Sequence, residues 1–291
     1  MKEDVGKQKI DEKLLEGIEI AYTQVVINAD RKHSRFNRNK ILDMLKIAAY
    51  MILTALLYSC NAREERTLMS YNIRNAKGMD DVTDCRRIAG VIKSLDADVV
   101  AMQEIDSVTE RSGGVFILEE IARHAGMHLS FSASIPFQGG KYGTGILSKE
   151  KPLAAKSVAL PGREEKRSLL IAEFKDCTVF CTHFSLNPED RLLSVAIINE
   201  YAEGYKKPVF LAGDMNDVPS SKVIAELQKS WTVLSDTARF TFSSDDPQIC
   251  IDYIFVRKTD RVEVLNATVA DERIASDHLP VYARVKCPEK Q

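Results

Sequence analysis

The stretch Val209-Phe210-Leu211-Ala212-Gly213-Asp214-Met215-Asn216 joins a fully apolar run to polar residues that follow it directly. Four consecutive apolar residues predict a strand that is buried on both faces, because a half-buried strand would alternate apolar and polar positions. Such a strand needs layers of structure on either side of it. Polar groups just beyond a strand end mark the place where open sheets carry their sites. The stretch therefore predicts a layered protein with a functional site near Asp214.

Similar runs recur on both sides of this stretch and are rich in Val, Ile, Phe and Tyr. We predict strands over Leu68–Ile73, Val99–Met102, Leu129–Ser132, Gly145–Leu147, Leu169–Phe174, Thr178–Phe184, Pro208–Ala212, Ile251–Val256, Val262–Val269 and Val281–Val285. Helical periodicity predicts helices over Asp84–Leu95, Val115–Ala125, Pro188–Gly204 and Ser220–Lys229. Many strands with few helices indicate a layered α/β protein rather than a helical bundle.

Length and composition are those of a globular protein. The chain has 291 residues, of which 45% are hydrophobic and 28% charged, and its formal net charge is −2. A charge so close to zero does not favour a general nucleic-acid binder, which usually carries a basic face. No Pro-, Gly- or Ser-rich stretch and no repeat interrupts the pattern after Cys60, so residues 67–287 are predicted to form one domain. Residues 61–66 are predicted to be a short linker in front of it.

An apolar run of a different kind lies near the amino terminus. From Ile47 to Tyr58 every residue except Thr54 is apolar or small, and these twelve residues are too few for a bilayer span of roughly twenty. The run fits a buried helix, a short membrane anchor, or a secretory signal with Lys46 as its positive flank. Its end, Leu57-Tyr58-Ser59-Cys60, resembles the lipobox of bacterial lipoproteins, where cleavage leaves the cysteine as a lipidated amino terminus.

The signal interpretation divides the first sixty residues. Residues 1–43 become an upstream extension that the mature protein lacks, residues 44–60 a lipoprotein signal peptide, and Cys60 the lipidation site. The protein is then exported and anchored to a membrane, in the periplasm or at the cell surface; without the signal it is cytoplasmic. The remaining five cysteines are predicted to be thiols, because no pair has the spacing of a zinc site.

Polar residues follow or interrupt several predicted strands, and each has an ordinary explanation. An asparagine at a strand end is usually a turn residue, and a lone strand histidine is more often a hydrogen-bonded core residue. A carboxylate directly after a buried strand, however, is costly unless it is paired or binds a cation. The set consists of Asn72, Glu104, His183, Asp214, Asn216, Asp252, Asp277 and His278.

In this order along the chain, the eight residues resemble the motifs of the endonuclease/exonuclease/phosphatase superfamily of metal-dependent phosphoesterases. The most specific motifs are Leu211–Asn216 and Ser276–Val281, which reads Ser-Asp-His-Leu-Pro-Val. The segment Lys141–Ser148 looks like the family's glycine-rich loop and following strand, and the resemblance extends from Leu68 to Lys286. It implies a four-layered α/β sandwich with two central, mainly antiparallel β-sheets flanked by helices.

The resemblance also implies a metal site. Glu104 is the expected main ligand, Asn72 lies beside it and Asp277 completes the set. Carboxylate and amide oxygens suit Mg²⁺, and Mn²⁺ is a possible substitute.

The remaining motif residues are expected to carry the chemistry of phosphate-ester hydrolysis. Asp214 activates the attacking water, while Asn216, His183 and His278 bind the phosphoryl group. Asp252 orients His278 and favours its protonated form, since a neighbouring carboxylate stabilises an imidazolium.

Substrate contacts are less specific. Arg111, Lys141, Tyr142 and Arg167 are candidates because each lies near a motif, although solvated surface charge explains the basic ones equally well. The block Gln103–Gly113 looks like the small bacterial secreted branch of the superfamily.

The substrate class stays open among phospholipid head groups, inositol phosphates and nucleic acid, as does the choice between diester and monoester. Cys250 occupies the position where abasic-site nucleases of the superfamily typically have an arginine, and the Trp-Cys-Asp-Arg run of inositol polyphosphate 5-phosphatases is absent around Asp252. We expect a monomeric enzyme. The alternatives are a catalytically silent, lipid-anchored binding module and an extracellular nuclease.

Overall fold

The computed structural model describes residues 65–287, together with positions 45, 46, 48 and 49. The predicted extension over residues 1–43 and the suspected lipidation site Cys60 lie outside the described residues, as does most of the predicted signal segment. Among the described residues, no helix combines the length and the apolar character needed to cross a bilayer.

Two six-stranded β-sheets form the centre of the fold. In the first sheet the strands lie in the order β11 (Glu263–Val269), β12 (Val281–Lys286), β1 (Glu65–Asn72), β2 (Val99–Ser107), β4 (Gly140–Ser148) and β3 (His128–Phe137). In the second the order is β5 (Ala154–Leu160), β6 (Arg167–Glu173), β7 (Thr178–His183), β8 (Val209–Asp214), β10 (Asp252–Arg257) and β9 (Trp231–Val233). Each sheet contains one parallel pair, β1 with β2 and β7 with β8, and all other neighbours are antiparallel.

Helices cover the outer faces of both sheets. The helices α1 (Cys85–Ser94) and α2 (Ile117–Ala125) pack on the first sheet, and α3 (Pro188–Glu203) and α4 (Lys222–Ser230) pack on the second. A third apolar core lies between the sheets. Successive strand residues point to opposite faces, so Phe210 enters the core between the sheets while Leu211 packs beneath the helices. The predicted four-layered α/β sandwich is confirmed.

Local sequence explains where the helix that follows β7 begins. The side chain of Asn187 accepts a hydrogen bond from the backbone N–H of Glu189 at 3.0 Å, and Pro188 occupies the first turn. Both features are typical of a helix amino terminus. The cap therefore starts α3 five residues after His183, the last residue of β7.

Two strands were not predicted. Strand β5 has the sequence Ala-Ala-Lys-Ser-Val-Ala-Leu, in which only Leu160 is buried, and its seven residues pair in register with β6. The three residues of β9 pair with β10. Both strands lie at sheet edges, where pairing with a neighbour rather than an apolar pattern creates the strand.

Strand direction brings the polar residues to one edge. Asn72, the last residue of β1, is paired with Gln103 within the parallel strand β2, and His183 and Asp214 are paired at the ends of β7 and β8. Strand β10 runs antiparallel to β8 and begins at this edge, so Asp252 is paired with Asp214.

Candidate active site

A β-bulge turns Glu104 towards the site. The pairing of β2 with β4 shifts between Met102 and Ile105, and Glu104 has a left-handed backbone with φ of 61°. Bulges of this kind re-aim a side chain and are frequent beside functional sites. A Cβ atom at Gly143, on the facing strand, would collide with the carbonyl oxygen of Ser132. The segment Lys141–Ser148 is therefore not a loop. It lies wholly inside β4, as predicted for its second half, and Gly143 permits the close approach of β3.

Asn72 connects the two sheets at the centre of the group. Its Nδ2 atom donates to Oε1 of Glu104 at 3.0 Å and to Oδ2 of Asp214 at 3.1 Å. Asn72 is fully buried at the end of β1. Burial raises the pKa of the Glu104 carboxyl, and the hydrogen bond from Asn72 partly opposes that change. The arrangement presents two carboxylates from different sheets to one amide group.

His278 and Asp252 form a buried pair. Nδ1 of His278 lies 2.9 Å from Oδ2 of Asp252, and its Nε2 lies 3.7 Å from Oδ2 of Asp214. Burial alone would lower the pKa of His278, but the charge of Asp252 and its hydrogen bond raise that pKa to about 10. The imidazole is therefore protonated at neutral pH. The ring of Phe242 packs 4.8 Å away from the ring of His278, centroid to centroid.

In contrast to His278, both Asp214 and His183 have pKa values shifted towards their uncharged forms. Burial, followed by the charge of Asp252, raises the pKa of Asp214 to about 7. Burial, followed by the charge of Arg167, lowers the pKa of His183 well below its usual value. Nε2 of His183 lies 3.4 Å from Oδ2 of Asp214. At neutral pH the site thus combines one charged and one neutral histidine around a carboxylate that is ready to accept a proton.

Asn216 is held between two loops at the end of β8. Its backbone is left-handed, with φ of 49°, and its N–H donates to Oδ1 of Asp214 at 2.8 Å. Its Nδ2 donates to the carbonyl oxygen of Phe184 at 2.9 Å. Asn216 therefore joins the ends of β7 and β8.

Asp277 approaches from the loop before β12. Its Oδ2 lies 3.6 Å from Nε of Arg74, and its charge contributes to the raised pKa of Glu104. The hydroxyl of Ser276 donates to the carbonyl oxygen of Asn72 at 2.8 Å, which fixes the loop against β1. Arg74 was not predicted as a site residue, although it stands two positions after Asn72. No sequence signal marked Phe242, whose approach to His278 depends on the tertiary fold.

Three of the four candidate substrate contacts lie beside this group. The guanidinium of Arg111 makes two contacts with buried Asp106, at 2.6 and 2.9 Å, and covers the rings of Phe137 and Tyr142. Its charge is close enough to Glu104 to affect the pKa of that carboxyl, and burial, followed by the charge of Glu104, raises the pKa of Tyr142.

Arg167 is buried beside His183, with Nη1 2.8 Å from Oε1 of Glu165. Lys141 is exposed, next to buried Tyr142 on β4. Because neighbouring strand residues point to opposite faces, the structure does not bring Lys141 into the group.

The donor set fits a hard divalent cation. Glu104, Asn72 and Asp277 offer carboxylate and amide oxygens in one acidic, partly buried place, as Mg²⁺ and Mn²⁺ prefer. Ligand atoms of Asp214, Asp252 and His278 also lie within 4.8 Å of one another. A protonated His278 bonded to Asp252 has no free lone pair for a metal. Glu104, Asn72 and Asp277 are therefore the better candidates for the metal ligands.

Comparisons with known proteins point the same way. The family model described as "Endonuclease/Exonuclease/phosphatase family" matches residues 69–278. A crystal structure of an endonuclease/exonuclease/phosphatase from Bacteroides vulgatus has a TM-score of 0.65 and 19% identity, with 77% of this chain and 100% of that chain covered. A mannosyl-6-phosphatase from Bacteroides thetaiotaomicron has a TM-score of 0.62 and 18% identity, with 76% and 99% covered.

The human Nocturnin catalytic domain with a bound sulfate has a TM-score of 0.59 and 17% identity, with 77% of this chain and 95% of that chain covered. At these identities the structural likeness shows the fold alone. No curated protein sequence matched the chain significantly.

Proposed function

Because the chain belongs to the endonuclease/exonuclease/phosphatase family, we propose that it is a divalent-metal-dependent hydrolase of phosphate esters. The observation that carries the proposal is the contact of Asn72 with Glu104 and Asp214, with the His278–Asp252 pair beside it. Phosphoryl transfer depends mainly on positioning and on stabilising charge, and this group supplies oxygen ligands, a candidate base and hydrogen-bond donors together.

Glu104, Asn72 and Asp277 would hold Mg²⁺ or Mn²⁺, which supplies positive charge to the phosphoryl and leaving oxygens when bound. Asp214 accepts the proton of the attacking water. Its pKa of about 7 suits a base that works near neutral pH, since about half of the groups are ionised there and the carboxylate is basic enough to take a proton.

The two histidines and Asn216 act on the phosphoryl group as donors. Protonated His278, oriented by Asp252, donates to the oxygens that gain negative charge in the transition state. Neutral His183 and the amide of Asn216 donate from the ends of β7 and β8. Arg111 stacks on Tyr142, and the charge of Arg167 acts on both Tyr142 and His183. These three side chains are the proposed contacts for the remainder of the substrate.

A phosphomonoester or phosphodiester of a lipid head group, an inositol phosphate or a nucleic acid is the proposed substrate class. Sugar phosphates join the set because one structural neighbour is named a mannosyl-6-phosphatase. A panel of these compounds, with bis-p-nitrophenyl phosphate and p-nitrophenyl phosphate, tests the full chain with Mn²⁺ or Mg²⁺. We expect turnover of at least one compound, loss with EDTA, and no turnover by Asp214→Ala. Inactivity of the wild type on every compound would instead favour the binding-module alternative.

We further propose that the protein is exported and acts as a monomer anchored to a membrane through lipid on Cys60. The support is the apolar run from Ile47 to Tyr58 and the cysteine after it. Intact mass of protein from the membrane fraction tests this directly. A species that begins at Cys60 and carries lipid is expected, and a species that retains Met1 or Met44 would contradict it.

A further inference from the structure

A buried arginine connects two loops of the site without touching the reacting centre. Arg191 lies in the first turns of α3 and is 8% exposed. Its Nη1 atom donates to the carbonyl oxygens of Ser185 at 3.2 Å and Leu186 at 3.0 Å. Its Nε atom lies 3.1 Å from Oδ2 of Asp217. One guanidinium group thus joins the segment after β7 to the segment after β8.

Both segments carry proposed catalytic side chains. Ser185 follows His183 by two residues, and Asp217 directly follows Asn216. The carbonyl oxygen of Asp217 also accepts a hydrogen bond from the hydroxyl of Tyr253 at 2.8 Å, which ties this loop to the start of β10. The contacts of Arg191 therefore fix the loops from which His183 and Asn216 reach the site.

The stability of α3 does not explain an arginine at this position. A helix amino terminus carries a partial positive charge and favours acidic residues, and α3 has Glu189 and Asp190 in its first turn. A cation there is unfavourable for the helix. Burying a guanidinium is also costly unless its charge and its donors find partners. The contacts with the loops offset these two costs.

We propose that Arg191 is a positioning residue for the reaction, which acts with Asp217 to hold Asn216 and His183 at the phosphoryl group. The inference rests on the proposed function. Asn216 has a left-handed backbone, a conformation that persists only where the surroundings hold it. Small displacements of a group that acts only in the transition state lower kcat, whereas ground-state binding by the metal ligands is preserved.

The experiment compares four single variants of the full chain on the best substrate of the wild type. Arg191→Met removes the charge and the donors, Arg191→Lys keeps only the charge, and Asp217→Asn removes the acidic partner. Arg163→Met is the matched control, because the Arg163 guanidinium pairs with Glu189 and Asp190 at the start of the same helix but contacts neither loop through its side chain.

We expect Arg191→Met and Asp217→Asn to lower kcat by on the order of 100-fold and 10-fold, with KM within about threefold of the wild type. Arg191→Lys is expected to lie between Arg191→Met and the wild type, and Arg163→Met within about twofold of the wild type. A fifth protein combines Arg191→Met with Asp217→Asn, and its loss in kcat should be smaller than the product of the two single losses, because both changes break one connection.

Failure of this inference can be told apart from failure of the proposed function. An inactive wild type ends the proposed function before any variant is made. With an active wild type, a kcat within about threefold in Arg191→Met, or a loss that falls entirely on KM, overturns the positioning role. If Arg191→Met does not fold, Arg191→Lys and Asp217→Asn decide by the same criterion, with melting temperatures reported for each.

Discussion

Nδ1 of His278 lies 2.9 Å from Oδ2 of Asp252, and both side chains are almost completely buried. The two residues come from different elements: Asp252 begins β10, and His278 lies in the loop before β12. The hydroxyl of Thr241 accepts hydrogen bonds from the backbone N–H groups of Ile251 and Asp252, and the carbonyl oxygen of the same residue accepts from the N–H of Leu279. The segment around Thr241 therefore holds both members of the pair.

Asp252→Asn is expected to lower the pKa of His278, because the charge of Asp252 is the main influence that raises it. The neutral imidazole would no longer stabilise charge on the phosphoryl oxygens, and kcat should fall by about 100-fold or more. Histidine NMR of the metal-free protein measures the pKa directly. An unchanged His278 pKa in the folded variant would contradict the electrostatic assignment.

The His278–Asp252 pair should also make stability depend on pH in a defined direction. The folded-state pKa of His278, about 10, exceeds the unfolded value of about 6.5. Its contribution is therefore fully present below about pH 6.5 and is lost as the pH rises through 10. Urea unfolding of metal-free wild type and His278→Gln at pH 6, 8 and 9.5 should show a difference in free energy that shrinks with pH. A difference that grows with pH would refute the sign.

Asp214→Asn should stabilise the metal-free protein while abolishing turnover. Burial raises the pKa of Asp214 to about 7, so its ionisation costs stability as the pH rises from about 4 through 7. At pH 8 the variant should be more stable by on the order of 1 kcal/mol, whereas at pH 4 the two proteins should differ little. Melting temperatures in EDTA at both pH values check this. If Asp214→Asn is instead less stable than the wild type at pH 8, ionised Asp214 does not destabilise the metal-free fold.

The sequence locates the strand ends that form the site but not the contacts between them. Asp214 and His183 follow apolar runs whose lengths define strands, and parallel pairing of those strands brings the two residues together. Arg74 and Phe242 reach the site through loops that no periodicity describes. Lys141 shows the converse limit, because proximity to a motif along the chain does not specify the face of the strand on which a side chain lies. Its contact with substrate stays a prediction.

Binding of Mg²⁺ should raise the melting temperature through Glu104. At a metal concentration of 100 times Kd the expected gain is about 2.7 kcal/mol, or roughly 5 to 10 °C for a domain of this size. Glu104→Gln should remove most of the shift, because the amide oxygen is a weaker ligand for a hard cation. Glu110→Gln is the matched control, since Glu110 is exposed beyond the end of β2. Equal shifts in both variants would exclude Glu104 as the main ligand.

Gly143→Ala tests whether the backbone opposite the bulge sets the position of Glu104. A Cβ atom at Gly143 would meet the carbonyl oxygen of Ser132 and the N–H of Ser134, so β3 and β4 could no longer keep their present spacing. The variant should lose about 2 kcal/mol of stability or more, because the added methyl group forces the backbones of β3 and β4 apart.

Gly90→Ala is the matched control for this substitution. Gly90 lies in α1 with no neighbouring atom within 4 Å of the added methyl group, and there the change should stabilise by up to about 1 kcal/mol because alanine favours a helix. If the bulge depends on β4, Gly143→Ala should also weaken the Mg²⁺-induced shift in melting temperature, whereas Gly90→Ala should leave that shift unchanged. A stable Gly143→Ala protein with a full shift would show that Glu104 keeps its position without the close approach of the two strands.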